Sequence, residues 1–309
     1  MKWIATTPLI SVDTETTDKD PEQARVIDIA AAYVTPRQPL DLRQSYVNPG
    51  VPVPAESTEV HGLTDEFIQR EGKPAAEVLD LFLGEIALAV HRGAVLVIQN
   101  ARYDLTVLDR EAARLGIPSL SERLGGRVAP VADPIVLDKR LIKFRSRVSE
   151  KQGARVLKTL AQTYGVGWDD EKAHGAAYDA AVTARVLWKM AAWCGYPRPR
   201  LMQQQTCFSA SWKKVRAEDA DWFERVAAMS PAQLHDAQVG WAAEQAEGLA
   251  MHWRSLATEM RESASRDDPP GDEGLSVDER RQVLRDAADV IERDADGARP
   301  DWPLVVANV

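Results

Sequence analysis

Five consecutive apolar residues, Ala94-Val95-Leu96-Val97-Ile98, lie between Gly93 and the polar pair Gln99-Asn100. The run is shorter than an ordinary helix and leaves no alternate position polar, so it predicts a strand buried on both faces. Such a strand needs cover on both faces of its sheet. The flanking sequence supplies both layers. Residues 8–14 carry Leu9-Ile10 and Val12, residues 25–34 contain Val-Ile-Asp-Ile-Ala-Ala-Ala-Tyr-Val, and residues 42–47 run into the turn Asn48-Pro49-Gly50. These read as a three-strand meander. Val78, Phe82, Ile86 and Ala89 then recur at helical spacing after Pro74, which suits a helix start. Leu105, Leu108, Ala112 and Leu115 form a second stripe, with Asn100 as N-cap and Gly116 and Pro118 as stop signals. Residues 128–133 predict one more strand, and 156–164 and 177–193 predict two helices that close the layer. The expected fold class is α/β, a mixed sheet covered by helices.

Past Pro197 the texture changes. Residues 206–229 predict a weakly patterned helix, and Ser230-Pro231 opens a long one with Leu234, Trp241, Leu249, Trp253, Leu256 and Met260 near one face. The Asp-Asp-Pro-Pro-Gly-Asp-Glu-Gly core of residues 263–274 predicts a mobile linker, and Ser276 with Glu279 makes a capping box for a last helix. Charge follows the same division. The chain carries a net −9, but residues 1–196 hold 24 basic against 26 acidic side chains, whereas 197–309 hold 14 against 21. Within the first part, residues 139–158 carry eight basic side chains and only Glu150, a local +7 that suits phosphate. An acidic total therefore does not exclude a nucleic-acid partner. No apolar stretch approaches the ~20 residues that cross a bilayer, and the N-terminus is too polar for a signal-peptide core. A cytoplasmic location with no membrane partner is expected. With only Cys194 and Cys207, no Cys-x-x-Cys and no His/Cys cluster, the sequence argues against a disulfide framework and a structural zinc site.

The chemistry gathers in four acids and one imidazole. Asp13 and Glu15 alternate with Thr14 and Thr16 at the end of the first strand, so both carboxylates project from one side. Asp104 follows the buried strand, in the first turn of its helix. His174 and Asp179 flank a Gly-bearing loop and the start of the next helix. Two carboxylates about 4 Å apart repel by about 4 kcal/mol at an effective dielectric of about 20, so such a cluster is costly without cations. Oxygen-only ligands with no Cys select hard divalent ions such as Mg²⁺ or Mn²⁺ over zinc. A metal pair stabilises the attacking and leaving oxygens of displacement at phosphorus, and a nearby histidine can take the proton of the attacking water.

Asp13-Thr-Glu15, Asn100-Ala-Arg-Tyr-Asp104 and His174 four intervening residues before Asp179, together with Val60-His61-Gly62-Leu63-Thr64-Asp65, resemble the DEDDh 3′→5′ exonucleases. That family includes the epsilon proofreading subunit of bacterial DNA polymerase III, RNase T and oligoribonuclease. The resemblance covers about residues 5 to 195 and implies an RNase H-like, mixed five-stranded sheet flanked by helices, here with a helical C-terminal extension. With the change of texture past Pro197, the expected organisation is an exonuclease domain over residues 1–196, a helical extension over 197–262, a linker over 263–275, and a short C-terminal helix and tail over 276–309. The resemblance also implies that Asp13, Glu15 and Asp179 hold the metal bearing the nucleophilic water. Asp13 and Asp104 would reach a second metal, and His174 would be the general base. Thr16, His61 and Asn100 would touch the terminal nucleotide, although Asn100 equally suits a helix cap and His61 a loop pin. Tyr103 is expected in the core rather than stacked on a base. Asp133 is expected to be structural, and the basic run at 139–158 is either a backbone guide or a solvated face.

The resemblance implies release of nucleoside 5′-monophosphates from the 3′ end of a single-stranded nucleic acid, DNA or RNA, with DNA the expected substrate. The alternative is a replication or repair subunit that binds a polymerase or clamp through the region after Pro197, with nuclease activity secondary.

Overall fold

The computed structural model describes residues 1–35, 38–208, 211–272, 274–298 and 301–303. A short 3-10 turn precedes the meander β1 (Leu9–Thr16), β2 (Val26–Val34) and β3 (Asp41–Asn48). Two helices the sequence reading passed over follow, α1 (Ala55–His61) and α2 (Asp65–Glu71). Then come β4 (Lys73–Pro74), α3 (Ala75–His91), β5 (Val95–Val97), α4 (Ala101–Leu115), α5 (Leu120–Leu124), β6 (Val131–Ala132), α6 (Pro134–Leu141), α7 (Leu157–Tyr164) and α8 (Ala176–Cys194). The remainder is α9 (Arg198–Leu201), β7 (Gln205–Phe208), β8 (Ser211–Lys214), α10 (Ala217–Ala227), α11 (Pro231–Ala264) and α12 (Val277–Gly297).

The main sheet has six strands in the order β4-β3-β2-β1-β5-β6, one more than expected. The extra strand is the two-residue β4, parallel to β3 at the edge, where Pro74 lacks an N–H that a central strand would need. β1 is the pivot: it runs antiparallel to β2 and parallel to β5. In β2 every residue from Val26 to Ala32 is buried, so both faces are covered. On one face Ala30 and Ala32 pack against Ala176 and Ala180 of α8. Four methyl side chains at that contact let the helix axis approach the sheet closely. Elsewhere Ile27 and Ile68 are fully buried beside Tyr46 and Phe67, whose rings meet edge to face at 4.9 Å. Burying each such aliphatic side chain contributes roughly 1.5–3 kcal/mol.

Two compact units divide the chain, Met1–Gln238 and Val239–Val309. The first extends past the boundary at 196. Residues 206–229, expected as helix, instead contain the β7–β8 hairpin and then α10, whose Phe223 meets Trp193 of α8 at 6.2 Å between ring centroids. The outer edge of β6 is closed by side chains of α11 rather than by another strand. Val131 N–H donates to His235 Nδ1 at 3.1 Å, Asp133 N–H to Gln238 Oε1 at 2.9 Å, and Gln238 Nε2 returns a bond to the Val131 carbonyl at 3.0 Å. In the second unit Arg261 of α11 pairs with Asp289 and Glu292 of α12. The Asp-Pro-Pro segment expected to be mobile is tied down there: Arg280 donates to the Pro269 carbonyl and to Asp268. Leu249 is 41% exposed, so the long stripe of α11 is not buried throughout. No helix among the described residues is long and apolar enough to cross a membrane.

Candidate active site

Asp13 and Glu15 sit on the face of β1 that α8 covers, opposite Ala30 and Asp28 of β2 in the pairing register. The alanine contact brings the first turn of α8 down over that strand end and delivers Asp179. Carboxylate oxygens of Asp13, Glu15 and Asp179 consequently lie within 4.8 Å of one another. Asp104 arrives from the first turn of α4 and is 4% exposed. Its Oδ1 accepts from the Thr14 N–H at 3.1 Å and the Thr14 hydroxyl at 2.7 Å, which clamps it to β1 between the other two acids.

Without a cation this arrangement is electrostatically expensive. Burial, then Asp104, Glu15 and Asp179, hold the Asp13 carboxyl well above the usual carboxylate range. Burial and the neighbouring Asp179 and Asp28 push Glu15 up to about 9. Asp104 is raised by burial to about 7, with the two Thr14 hydrogen bonds working in the opposite direction. Asp179 is raised by burial to about 6, moderated by His174 beside it. One oxygen of Asp179, Oδ1, is buried with no hydrogen-bond partner. An all-oxygen donor set with an orphaned carboxylate oxygen fits a hard divalent cation, since both the mutual repulsion and the unmet acceptor are relieved by the same charge.

The catalytic histidine expected from the sequence stands at the rim: His174 is exposed and adopts φ +61° immediately before Gly175 and α8. Asn100 adopts φ +61° as well, and these two are the only non-glycine residues with positive φ among those described. Left-handed backbone at such residues is uncommon, and both instances fall at this site. Asn100 occupies the N-cap position of α4, yet its side chain makes no capping bond. Asp133 does that work: it accepts from the Asn100 and Ala101 N–H groups and from Ile135 N–H, capping α4 and α6 together. The Asn100 side chain is left to line a cleft of about 770 Å³, shared with Glu15, Thr16, His61 and Tyr103. His61 ends α1, where its Nδ1 accepts from Leu63 N–H at 3.1 Å and pins the following turn. Its Nε2 is buried without a partner. Tyr103 is a cleft wall rather than core, because its hydroxyl bonds to Thr16 Oγ1 and donates to the Asp18 carbonyl.

The basic run is absorbed mainly into structure. Arg145 and Arg155 converge on the fully buried Asp138, Arg140 lies over the Trp222 ring, and Lys158 pairs with Asp170. One acid was missed, Asp28. It stands in an otherwise apolar strand, Val-Ile-Asp-Ile, and a carboxylate buried there needs a partner or a purpose.

A sequence profile of the RNase T exonuclease family matches residues 10–187. Among curated proteins, the DNA polymerase III PolC-type of Streptococcus thermophilus is 29% identical over 175 residues, 57% of this chain and 10% of that protein. The same enzyme of Thermotoga petrophila is 29% identical over 178 residues, 58% of this chain and 11% of its own. The chain thus spans about a tenth of the length of these relatives. Among solved structures, an exonuclease I from Methylocaldum szegediense superposes with a TM-score of 0.50 at 19% identity, covering 60% of this chain and 40% of that one, a likeness of fold. With the profile spanning more than half of its length and running from the first acidic strand through Asp179, the chain belongs to the exonuclease family that includes RNase T.

Proposed function

We propose that the protein is a metal-dependent 3′→5′ exonuclease that removes nucleoside 5′-monophosphates one at a time from single-stranded DNA. The observation that carries this reading is the convergence of Asp13, Glu15 and Asp179 within 4.8 Å, with Asp104 clamped beside Asp13. These four side chains would hold two divalent cations, Mg²⁺ or Mn²⁺, which when bound supply charge stabilisation to the attacking and leaving oxygens of phosphodiester hydrolysis. His174 takes the proton of the attacking water. It is exposed to solvent immediately before α8, and its charge acts on Asp179 in the first turn of that helix. Thr16, His61 and Asn100 line the cleft beside Glu15 and would hold the terminal nucleotide. The Tyr103 hydroxyl fixes Thr16 and the turn after it, so the nucleotide meets a prearranged wall.

DNA is favoured over RNA because the relatives at 29% identity are DNA polymerases. The same names support a second reading, in which residues 197–262 and 276–309, separated by 263–275, form an extension that docks on a polymerase or clamp and the nuclease serves that assembly. A 5′-labelled single strand incubated with purified protein and Mg²⁺ separates the readings. The first expects a ladder of labelled shortened products without any partner, abolished by chelation. Immediate release of the label as a mononucleotide would reverse the polarity. No shortening at any Mg²⁺ or Mn²⁺ concentration would sink the first reading. Competition among single-stranded DNA, duplex DNA, RNA and dinucleotides then fixes the substrate.

A further inference from the structure

Asp28 is 1% exposed and lies directly across the β1–β2 ladder from Glu15, so both side chains point to the face that α8 covers. Its Oδ2 accepts from Gln44 Nε2 of β3 at 2.7 Å. On the same face of β2, two residues on, Ala30 packs with Ala176, the first residue of α8, whose backbone N–H also favours the ionised form of Asp28, while Oδ1 is buried without a hydrogen-bond partner. One carboxylate thus faces three elements: the strand bearing Glu15, the neighbouring β3, and the start of the helix that carries Asp179. An apolar residue would fill this space at no desolvation cost, so its retention in a strand whose other residues from Val26 to Ala32 are apolar calls for a task.

We propose that Asp28 is a positioning residue of the metal centre, holding the first turn of α8 against β2 so that Asp179 completes the pair Asp13 and Glu15. The inference rests on the metal-dependent reading above. Outer carboxylates of this kind orient the groups that meet the cation and tune their affinity without meeting it themselves. Asp28 adds negative potential at Glu15 and Asp13, which a cation in the cluster offsets.

The test measures Mn²⁺ binding to the full chain by calorimetry, beside Mg²⁺-dependent turnover of a single strand. Wild-type protein that binds no Mn²⁺ would defeat the metal-dependent reading itself, before any variant is compared. Given wild-type binding, Asp28→Asn, which keeps the shape and removes the charge, should weaken Mn²⁺ binding by about 10-fold or more. The larger part of its loss in turnover should appear in the Mg²⁺ concentration for half-maximal rate and the smaller part in kcat. Gln44→Ala, at an exposed position, removes one anchor of the carboxylate and should weaken Mn²⁺ binding a few-fold. It keeps the question open to test if Asp28→Asn fails to fold. Unchanged Mn²⁺ affinity in folded Asp28→Asn, or in Gln44→Ala should the first variant not fold, would show that Asp28 is merely structural and overturn the proposal. Complete loss of kcat at saturating Mg²⁺ in Asp28→Asn would also overturn it, because that is the behaviour of a direct ligand.

Discussion

Replacing Glu15 by Gln should abolish turnover and yet stabilise the metal-free protein. Carboxylate oxygens of Glu15, Asp13 and Asp179 lie within 4.8 Å of one another. At that separation each ionised pair costs about 3 kcal/mol at an effective dielectric of about 20. Burial first, and then the charges of Asp179 and Asp28, push Glu15 from 4.5 up to about 9, so the fold retains a proton there. The sign follows from that direction. A carboxyl raised in the folded state contributes its full stability below the unfolded value and loses it as pH rises toward the folded value. At pH 7 the unfolded chain is therefore favoured by ionisation of Glu15 by about 3 kcal/mol, a figure that contains the cost of burying the charge as well as the repulsion. Gln keeps the shape and cannot ionise. In a chelator at pH 7 the variant should melt higher by about 2–3 kcal/mol, or roughly 5–10 °C for a unit of this size. Saturating Mg²⁺ should close or reverse the gap, because the cation cancels the repulsion in the wild type alone. Turnover should fall by at least about 10²-fold. Thermal denaturation with and without Mg²⁺, beside digestion of a labelled strand, provides both readouts. A variant that melts below wild type by the same margin in chelator and in Mg²⁺ would show that Glu15 is an ordinary structural acid.

Four further outcomes follow from other parts of the molecule. His174→Ala should slow hydrolysis by about 10²- to 10⁴-fold while calorimetric Mn²⁺ binding is retained, and a wild-type rate would remove His174 from proton transfer. Ala180→Leu should cost about 1–3 kcal/mol by lifting α8 from Ala30 and Ala32, and should weaken Mn²⁺ binding because Asp179 rises with the helix; intact binding would show that the alanine contact does not set the site. Asp138 accepts from Arg145, Arg155 and Tyr164, and the two arginines hold its carboxyl below the usual range against burial. That pairing stabilises the fold above the ordinary carboxylate value and is lost as pH falls through the lower folded value, so Asp138→Ala should cost about 3–5 kcal/mol at pH 7 and less in acid, read from urea unfolding at both pH values. A chain ending at 261 should keep its rate on a short single strand within a few-fold, whereas one ending at 196 should melt lower and self-associate by light scattering. Equal behaviour of the two would mean that α10 and the start of α11 do not belong to the first unit.

The fold was legible where local pattern and tertiary role coincide. Ala94 to Ile98 had no reading but a buried strand, and its central residues form β5 between β1 and β6. Asp13, Glu15, Asp104 and Asp179 were legible because the types and spacing of acids are dictated by the chemistry, and the structure brings them to one strand end. Asn100 misled as a helix cap because the capping carboxylate comes from Asp133, 32 residues away from Ala101, a pairing no local rule contains. The β7–β8 hairpin was hidden by strands only four residues long, whose alternation is too brief to outweigh helical spacing. Asp28 was visible as an acid in an apolar strand, but its meaning needed the register that sets it opposite Glu15.

The closure of β6 by His235 and Gln238 also ties the catalytic sheet to the direction of synthesis. The ladder amides of Val131 and Asp133 find their acceptors 104 and 105 residues later in the chain. A nascent chain that has emitted every acid and the histidine of the site still presents an open strand edge to its surroundings until Gln238 has followed. In a crowded polysome that edge is a template for pairing with the neighbouring nascent copy. The first unit therefore reaches its finished state late, and codons well beyond Asp179 govern whether it does so alone.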